Sequence, residues 1–278
     1  MLAGTSGWSY EEWKGPFYPE ALASREMLRF YAERLPAVEV NNTFYRLPKA
    51  SVLAGWASQV PEGFRFALKA SRRITHLKRL RDVAEETAYF LSTAGALGPR
   101  LGALLFQLPP NLKLDLDRLD AFLALLPEGA PAAFEFRHPS WADPAVHERL
   151  RARAFAWVIA DVEEAPPPPF VTTAPWTYLR LRRPGYTAPE LTAWLAHIRS
   201  GEVFASEARS EPQVSGAVGA GFAGAVHGRL ARQAYVFFKH EDAGAGPRLA
   251  AELLALAHPA PLRAGAASAR DLAAGSSE

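Results

Sequence analysis

One stretch near the middle of the chain joins an apolar segment to residues that could do chemistry: Ala132-Ala133-Phe134-Glu135-Phe136-Arg137-His138-Pro139-Ser140-Trp141. Side chains alternate across a strand, so the two phenylalanines face one side while Glu135 and Arg137 face the other. His138 precedes a proline, which disfavours helix and ends the strand there. A carboxylate and a guanidinium are costly to bury unless they form a structural ion pair or serve a function. These two residues alone leave both interpretations open.

Polar residues recur at the ends of the other strand-like segments: Glu39 and Asn41, Lys69, Gln107, Asp161, Arg180 and Arg182, and Lys239. Most of them have the alternation that faces inward in a barrel. The carboxyl ends of parallel barrel strands meet at one mouth, where barrel enzymes keep their active sites. A purely structural barrel would more often fill these positions with Val, Ile and Leu. We therefore predict a functional mouth whose catalytic candidates are Glu135, Glu39, Asp161 and His138.

The charges at this mouth favour an anionic ligand. Its basic residues outnumber its carboxylates, and His76 lies nearby, so a phosphate, a carboxylate or a nucleotide would be attracted. The turn Gly244-Ala245-Gly246-Pro247 directs a helix N-terminus there, which suits phosphate. An ordinary connection between helix and strand is the simpler interpretation of that turn.

Three mechanisms are open to these residues. The carboxylates, with His138 or His240, could hold a divalent metal, although no His-x-x-x-His spacing supports this. Glu39 and Glu135 could form an acid–base pair without a metal, but strands two and five lie far apart around a barrel. A carboxylate could instead pair with Lys69 or Lys239 for proton transfer or imine chemistry, a phosphate-binding lysine being the simpler alternative. Nothing indicates an organic cofactor.

Aromatic residues occur in the segments predicted to be loops over the mouth: Trp8, Tyr10, Trp13, Phe44, Tyr45 and Trp141. They could stack on a base or a sugar, and we take Trp8, Tyr45 and Trp141 as candidate contacts. For most of the aromatics, a loop core is the simpler interpretation. The basic run formed by Arg72, Arg73, Lys78 and Arg79 is either a solvated face or a surface for a nucleic-acid backbone.

Eight strand-like segments alternate with helical patterns along the chain. The first predicted strand lies in Leu2 to Tyr10 and runs into a loop, and the others end near Asn42, Lys69, Gln107, His138, Asp161, Arg182 and Lys239. The predicted helices run from Ser24 to Leu35, Lys49 to Gln59, Arg81 to Ala96, Leu116 to Leu126, Pro144 to Arg153, Pro189 to Ile198 and Pro247 to Leu256. Asp115 is a predicted N-cap. Four consecutive prolines after the sixth strand exclude a normal crossover helix.

This alternation predicts an α/β fold, a single TIM-barrel-like (β/α)8 domain over residues 1–258. Its crossover after strand six would be irregular, and residues 200–232 would form an insertion before strand eight. Residues 259–278 are predicted to be a disordered tail. A doubly wound open sheet is less favoured because neither a G-x-G-x-x-G turn nor a P-loop is present.

Composition excludes several classes of protein. The chain has 278 residues, 49% of them hydrophobic, with 31 basic and 29 acidic side chains for a net charge of +2. This balance does not demand a polyanionic partner. The absence of cysteine excludes disulfides and thiolate chemistry. No window of ~20 apolar residues and no leader-like pattern is present, so we expect a cytoplasmic protein without a membrane span.

Several motifs of the chain occur together. They are Gly4-Thr5-Ser6-Gly7-Trp8-Ser9-Tyr10, Glu39-Val40-Asn41-Asn42-Thr43-Phe44-Tyr45-Arg46-Leu47-Pro48, Phe66-Ala67-Leu68-Lys69 with Thr75-His76, Phe106-Gln107-Leu108-Pro109-Pro110, and the stretch ending at Trp141. Together they resemble the YecE-like family, also called domain of unknown function seventy-two. The resemblance implies a TIM-barrel-like fold and an undefined function.

The polar residues that recur in that family correspond here to Glu39, Asn41, Asn42, Tyr45, Arg46, Lys69, His76, Gln107, Glu135, Arg137, His138, Asp161 and Arg180. The chain departs from the family pattern after strands seven and eight, at Arg182-Arg183 and at Lys239-His240-Glu241-Asp242. Site roles placed there rest least on the resemblance.

We therefore expect an enzyme, a hydrolase or lyase, that acts on a small anionic and phosphate-containing substrate at the mouth. Glu135 would be the acid, base or metal ligand, and Arg137, Arg180 and Lys69 would hold the anion. The alternative is a non-catalytic module that binds nucleic acid or nucleotides, and a protein-interaction scaffold is a third reading. The sequence leaves the oligomeric state open.

Overall fold

A closed barrel of eight parallel strands forms the centre of the molecule. The computed structural model describes residues 1–163, 169–207, 233–239 and 242–258. The strands are β1 (Leu2–Ser6), β2 (Ala37–Val40), β3 (Arg65–Lys69), β4 (Leu101–Gln107), β5 (Ala132–Glu135), β6 (Ala156–Asp161), β7 (Thr177–Leu181) and β8 (Ala234–Phe238). They pair in chain order, and β1 closes the barrel against β8. The predicted (β/α)8 fold is confirmed.

Helices flank the barrel between the strands. They are α1 (Met27–Ala32), α2 (Ala50–Ser58), α3 (Ala84–Ala94), α4 (Leu116–Leu123), α5 (Pro144–Ala152), α6 (Ala188–Glu207) and α7 (Ala245–Ala257). Asp115 caps α4 as predicted, because its side chain accepts the Arg118 N–H at 3.0 Å. The third helix begins later than predicted because Arg79, Leu80 and Asp82 have positive φ angles, which a right-handed helix excludes.

The structure tests only part of the predicted irregular regions. Between β6 and β7 the described residues contain no helix, as the proline run predicted, and residues 164–168 lie outside the described part. The backbone of α6 continues to Glu207, so the start of the predicted insertion at 200–232 is helical. Residues 208–232 and the predicted disordered tail at 259–278 lie outside the described residues.

Side chains inside the barrel are small on one side and large on the other. Ala37, Ala67 and Ala103 face the interior from β2, β3 and β4, whereas β7 and β8 contribute aromatic residues such as Tyr178 and Phe237. Rings from one side of the barrel fill the space that the alanines leave. The same alternation places Glu39, Lys69, Gln107, Glu135 and Arg180 on the inward face near the carboxyl ends of the strands.

A glycine turn connects β1 to the mouth. Gly7 has a φ of 98°, and its N–H donates to the carbonyl of Glu39 at 2.8 Å. A Cβ at this position would overlap the Tyr10 hydroxyl, so the turn needs glycine for its conformation and for space. No helix in the described part of the chain is long and apolar enough to cross a membrane.

Candidate functional site

Arg180 joins two buried glutamates at the mouth of the barrel. Its Nε lies 2.9 Å from Glu39 Oε2 and its Nη2 lies 2.9 Å from Glu39 Oε1, so the guanidinium binds this carboxylate with two donors. Its Nη1 lies 2.5 Å from Glu135 Oε2. Glu39 is 0% exposed, and Glu135 and Arg180 are 2% exposed. Because β2, β5 and β7 are not neighbours in the sheet, these ion pairs cross the inside of the barrel.

The carboxylate of Glu39 is saturated with donors. Ser6 Oγ donates to Oε1 at 2.8 Å, and Asn41 Nδ2 donates to the same oxygen at 2.9 Å. Tyr178 Oη donates to Oε2 at 2.8 Å. With the two bonds from Arg180, Glu39 accepts five hydrogen bonds. A carboxylate held in this way can position its donors but has little capacity left for a ligand.

Glu135 connects the arginine to the other side of the mouth. Its Oε1 accepts from Gln107 Nε2 at 2.7 Å and from Arg137 Nε at 2.9 Å. Lys69 Nζ in turn donates to Gln107 Oε1 at 2.7 Å. Gln107 therefore relays between an ammonium and a carboxylate, and these charges fix the orientation of its amide. We call this network the inner cluster: Ser6, Glu39, Asn41, Lys69, Gln107, Glu135, Arg137, Tyr178, Arg180 and Arg182.

Both glutamates of the inner cluster are ionised at neutral pH. Burial alone would raise the pKa of Glu39, but the charge and hydrogen bonds of Arg180 outweigh it and lower the pKa to about 2. For Glu135 burial is likewise outweighed by Arg180 and Arg137, and its pKa is also lowered to about 2. Neither group can act as an acid or a base near pH 7. Their chemical contribution is fixed negative charge that holds the arginines.

Basic side chains exceed carboxylates in the inner cluster. Arg137, with its side chain 43% exposed, extends from Glu135 towards solvent. Arg182 is half-buried, and its Nη1 donates to Ser6 Oγ at 2.8 Å. With Arg180 and Lys69, the cluster sets four basic side chains against two carboxylates. Such an excess in a partly enclosed site favours an anion.

Lys69 differs from an ordinary surface lysine. It is half-buried, and its Nζ lies 4.2 Å from the centre of the Phe44 ring. Burial, followed by the positive charge of Arg180, lowers the pKa of Lys69 to about 8. A substantial fraction of neutral amine is therefore present near physiological pH, which an unperturbed lysine does not offer.

Four predicted contacts lie in or next to short helical turns that follow β2 and β3: Asn42, Tyr45, Arg46 and His76. The first three are exposed, and Tyr45 reaches 70% exposure. His76 packs edge-on against Phe44 with ring centres 4.8 Å apart. Its pKa is lowered by burial and then by the charge of Lys69, and both effects favour the neutral ring. These residues could contact a ligand that extends above the mouth.

Asp161 ends β6 as predicted, but its side chain does not join the glutamates. Val158 faces the barrel interior, so Asp161, three residues later, faces the helix layer outside. Its Oδ2 accepts from Arg183 Nε at 2.8 Å and from Tyr186 Oη at 2.9 Å. Arg183 also pairs with Glu190 on α6, with Nη2 and Oε1 2.9 Å apart. We call Asp161, Arg183, Tyr186 and Glu190 the outer cluster.

Two residues after β5 are likewise structural. The predicted place of Trp141 over the mouth is wrong: it is 0% exposed, and its Nε1 donates to the Leu112 carbonyl at 2.6 Å. His138 caps the short turn Pro139–Trp141, because its Nδ1 accepts the Ser140 N–H at 3.1 Å. This bond turns the ring towards its own turn, where Ser140 Oγ also lies 2.8 Å from Nδ1.

Trp8 lies against the outer wall rather than over the opening. Its ring meets the Trp56 ring edge to face, with centres 5.0 Å apart. Lys239 continues the inward alternation of Tyr235 and Phe237, and its N–H donates to the Leu181 carbonyl at 3.0 Å. The structure thus separates Trp8 from the inner cluster and keeps Lys239 at the end of an inward-facing row.

Ser6 and Tyr178 both donate to Glu39 but were not among the predicted site residues. Tyr178 precedes Arg180 by two residues on the same strand face, so strand alternation was a signal for it. Ser6 follows Gly4 on the inward face of β1, where a lone serine carries no comparable signal.

The described residues do not fit a metal centre. Among them, no group of three or more His, Asp or Glu side chains is arranged to hold an ion, and His240 lies outside the described part. The space between Glu39 and Glu135 is filled by the Arg180 guanidinium, which supplies the positive charge that a metal would otherwise bring.

The known proteins that resemble this chain agree with one another. The family model described as Protein of unknown function DUF72 matches residues 2–271. The chain is 32% identical over 142 residues to the UPF0759 protein YecE of Escherichia coli K12, a match covering 51% of this chain and 50% of that protein. It is 29% identical over 175 residues to the UPF0759 protein YunF of Bacillus subtilis, covering 59% and 61%. The matched region thus spans about half the length of the first of these relatives.

Solved structures show the same architecture. A DUF72 family protein from Thermotoga maritima has a TM-score of 0.71 and 26% identity, covering 92% of this chain and 98% of its own. A DUF72 family protein from Enterococcus faecalis has a TM-score of 0.67 at 18% identity, which supports the fold alone. Because the family model covers nearly the whole chain, as the sequence motifs predicted, this protein belongs to the DUF72 family of proteins of unknown function.

Proposed function

We propose that the protein is an enzyme, a hydrolase or lyase, that binds a small phosphate-containing substrate at the mouth of the barrel. The observation that carries this proposal is the charge balance of the inner cluster. Glu39 and Glu135 are ionised but occupied by Arg180, while Lys69, Arg137 and Arg182 keep their positive charge at or near the opening. A dianionic phosphate would complete this arrangement electrostatically.

Arg137 and Arg182 would hold the phosphate. Arg137 uses Nε for Glu135, and its 43% exposed side chain can present the terminal nitrogens to a ligand. Arg182 is held by Ser6, which is itself held by Glu39. The buried glutamates therefore position the binding arginines, and preorganised donors of this kind stabilise charge without moving during a reaction.

Lys69, rather than Glu135, would transfer protons. Its pKa of about 8 lies near neutrality, whereas the pKa of Glu135 near 2 leaves that carboxylate a very weak base. In its neutral form, Lys69 Nζ can accept a proton from a substrate carbon or an attacking water. In its charged form, it can return that proton to the leaving oxygen.

A turnover assay tests this proposal directly. Wild-type protein is incubated with a panel of sugar phosphates and nucleotides, and released phosphate and carbonyl products are measured. Lys69→Arg keeps the positive charge but removes the near-neutral pKa, so kcat should fall by about 100-fold or more while KM changes little. Lys113→Arg, a change at an exposed lysine on the same chain, is the matched control.

Two results would overturn parts of the proposal. Full turnover by Lys69→Arg would remove Lys69 from the reaction. Tight binding of phosphorylated compounds without any turnover would favour the alternative, a nucleotide- or nucleic-acid-binding module.

A specific observation favours that alternative. Tyr45 is 70% exposed, and the guanidinium carbon of Arg72 lies 5.9 Å from the centre of its ring, an arrangement on which a base could stack. This reading expects oligonucleotide affinity that falls steeply with salt and is weakened by Arg72→Ala and Arg73→Ala. The enzyme reading expects small phosphorylated ligands to bind those two variants as they bind wild type.

A further inference from the structure

A cleft of about 620 Å³ lies beside the inner cluster, and the proposed phosphate site does not use it. Its lining includes Gly7 and Trp8 after β1, Asn41 and Asn42 after β2, and Trp56 on α2. The volume is within the range of pockets that hold metabolites, roughly 300–1,000 Å³. Asn41 is shared by the cleft and the inner cluster, because it lines the cleft and donates a hydrogen bond to Glu39.

Asn41 brings an unused acceptor to this place. Its Nδ2 donates to Glu39 Oε1 at 2.9 Å, and the negative charge of that carboxylate fixes which end of the amide faces it. The opposite end, Oδ1, has no hydrogen-bond partner in the protein and is closed to solvent, so a ligand must displace its cover to reach it. A buried acceptor without a partner is costly, and a ligand hydroxyl or amino group would satisfy it.

The apolar wall of the cleft offers surfaces for a ring. Trp8 and Trp56 both line the cleft, and their rings meet edge to face with centres 5.0 Å apart. Leu28, Val40 and Pro48 complete the apolar lining, and Arg25 is the one charged side chain among the residues described around it. An uncharged ring with polar substituents fits such walls better than a second phosphate.

We propose that this cleft binds the ring end of the phosphorylated substrate, a sugar or a base that bears an O–H or N–H donor for Asn41 Oδ1. The inference rests on the proposed function for the phosphate end and adds the chemical class of the remainder. The phosphate lies at Arg137 and Arg182, Asn41 marks the junction, and the ring packs against Trp8 and Trp56. Arg182 donates to Ser6, which directly precedes Gly7 in the chain. Asn41 lines the cleft and donates to Glu39, so these contacts link the two sites.

Calorimetric titrations with inorganic phosphate, ribose 5-phosphate, adenosine 5′-monophosphate and adenosine test the cleft. Wild-type protein should bind at least one of the ring-containing phosphates more than tenfold tighter than inorganic phosphate. Ribose 5-phosphate and the nucleotide distinguish a sugar from a base as the group that provides the gain.

Two tryptophan variants test whether the cleft provides this gain in affinity. Trp56→Leu should lose roughly 5- to 150-fold in affinity for the ring-containing ligand, the range typical of stacking aromatics, and leave inorganic phosphate binding unchanged. Trp194→Leu, at a half-buried tryptophan on α6 next to the outer cluster, is the matched control and should change neither affinity.

The outcomes separate this inference from the proposed function. If phosphate binds but neither ring compound binds tighter, or if Trp194→Leu loses as much as Trp56→Leu, the cleft proposal is wrong and the phosphate site stands. If adenosine binds through Trp56 while phosphate does not bind, the cleft stands and the proposed phosphate site is wrong. If none of the four compounds binds, both are wrong.

Discussion

Two clusters of charged side chains lie at strand ends on opposite faces of the barrel wall, and they differ in charge balance. In the inner cluster, two carboxylates share Arg180 and further basic side chains remain around them. In the outer cluster, Asp161 and Glu190 share Arg183, so carboxylates exceed cations. In both clusters an arginine and a tyrosine hydroxyl donate to a carboxylate. The side of the strand and the sign of the excess charge therefore separate a candidate anion site from a structural ion pair.

Burial also differs between the two central arginines. Arg180 is 2% exposed, whereas the side chain of Arg183 is 33% exposed and water can screen its charge. Substitution of each arginine by methionine should give the largest difference in stability between the two clusters. We expect Arg180→Met to lower the free energy of unfolding by about 3–5 kcal/mol, because two buried carboxylates lose their counter-charge. Arg183→Met should cost on the order of 1 kcal/mol. Urea denaturation at pH 7 measures both.

A rescue variant keeps this prediction testable if Arg180→Met does not fold. Adding Glu39→Gln and Glu135→Gln to Arg180→Met removes the uncompensated charges and should restore a cooperative transition. Equal losses of stability for the two arginine variants, or no rescue, would show that Arg180 is not needed to neutralise the two buried carboxylates.

The pH dependence of stability tests the role of the two glutamates in the inner cluster. The pKa values of Glu39 and Glu135 are lowered to about 2 in the folded protein, below the ordinary value near 4.3 of an unfolded chain. Their contribution to stability is therefore present above about pH 4.3 and is lost as the pH falls towards 2. Glu135→Gln should be less stable than wild type at pH 7 but should lose less stability between pH 5 and 2. Each of these two differences in stability should be about the free energy that corresponds to the pKa change.

Glu190→Gln in the outer cluster is the comparison for the acid titration. Hydrogen bonds from Thr187 and Arg183 lower the pKa of Glu190 to about 2 as well, but the group is partly exposed and water screens it, so its removal should change the acid limb of the stability curve less than Glu135→Gln does. Chemical denaturation at stepped pH values gives the curves. A Glu135→Gln curve parallel to wild type over the whole range would contradict the lowered pKa of Glu135.

The smallest expected effect is a shift in the pKa of Lys69. The carboxylate of Glu135 raises this pKa against the lowering effects of burial and Arg180. Glu135→Gln should therefore move it below its present value of about 8, whereas Glu190→Gln should not. Competitive acetylation across pH, with exposed Lys113 as the internal reference, reports the reactivity of each amine. An upward shift in Glu135→Gln would contradict the assigned electrostatics.

Strand alternation predicted much of the inner cluster but not all of the site. Phe134 and Phe136 flank Glu135, so the sequence itself showed which face was polar. The segment Ala156-Trp157-Val158-Ile159-Ala160 is apolar at every position, as strands covered on both faces often are, and so it hid the side on which Asp161 lies.

Other parts of the site depend on contacts between distant segments. Trp141 is buried because its ring nitrogen reaches the Leu112 carbonyl, which no local pattern predicts. The protonation of Glu135 depends on Arg180, 45 residues away along the chain. The sequence could therefore name Glu135 as functional but not distinguish a proton-transfer group from a fixed charge. The proposed cytoplasmic location, substrate class and domain limits stay predictions.

Titration of inorganic phosphate by calorimetry into wild type, Arg137→Gln and Arg183→Gln shows whether the inner cluster binds an anion. We expect wild type to bind phosphate more weakly as salt increases, Arg137→Gln to lose about tenfold or more in affinity, and Arg183→Gln to bind as wild type does. Absence of phosphate binding to wild type, or equal losses in the two variants, would contradict the claim that the excess positive charge of the inner cluster forms an anion site.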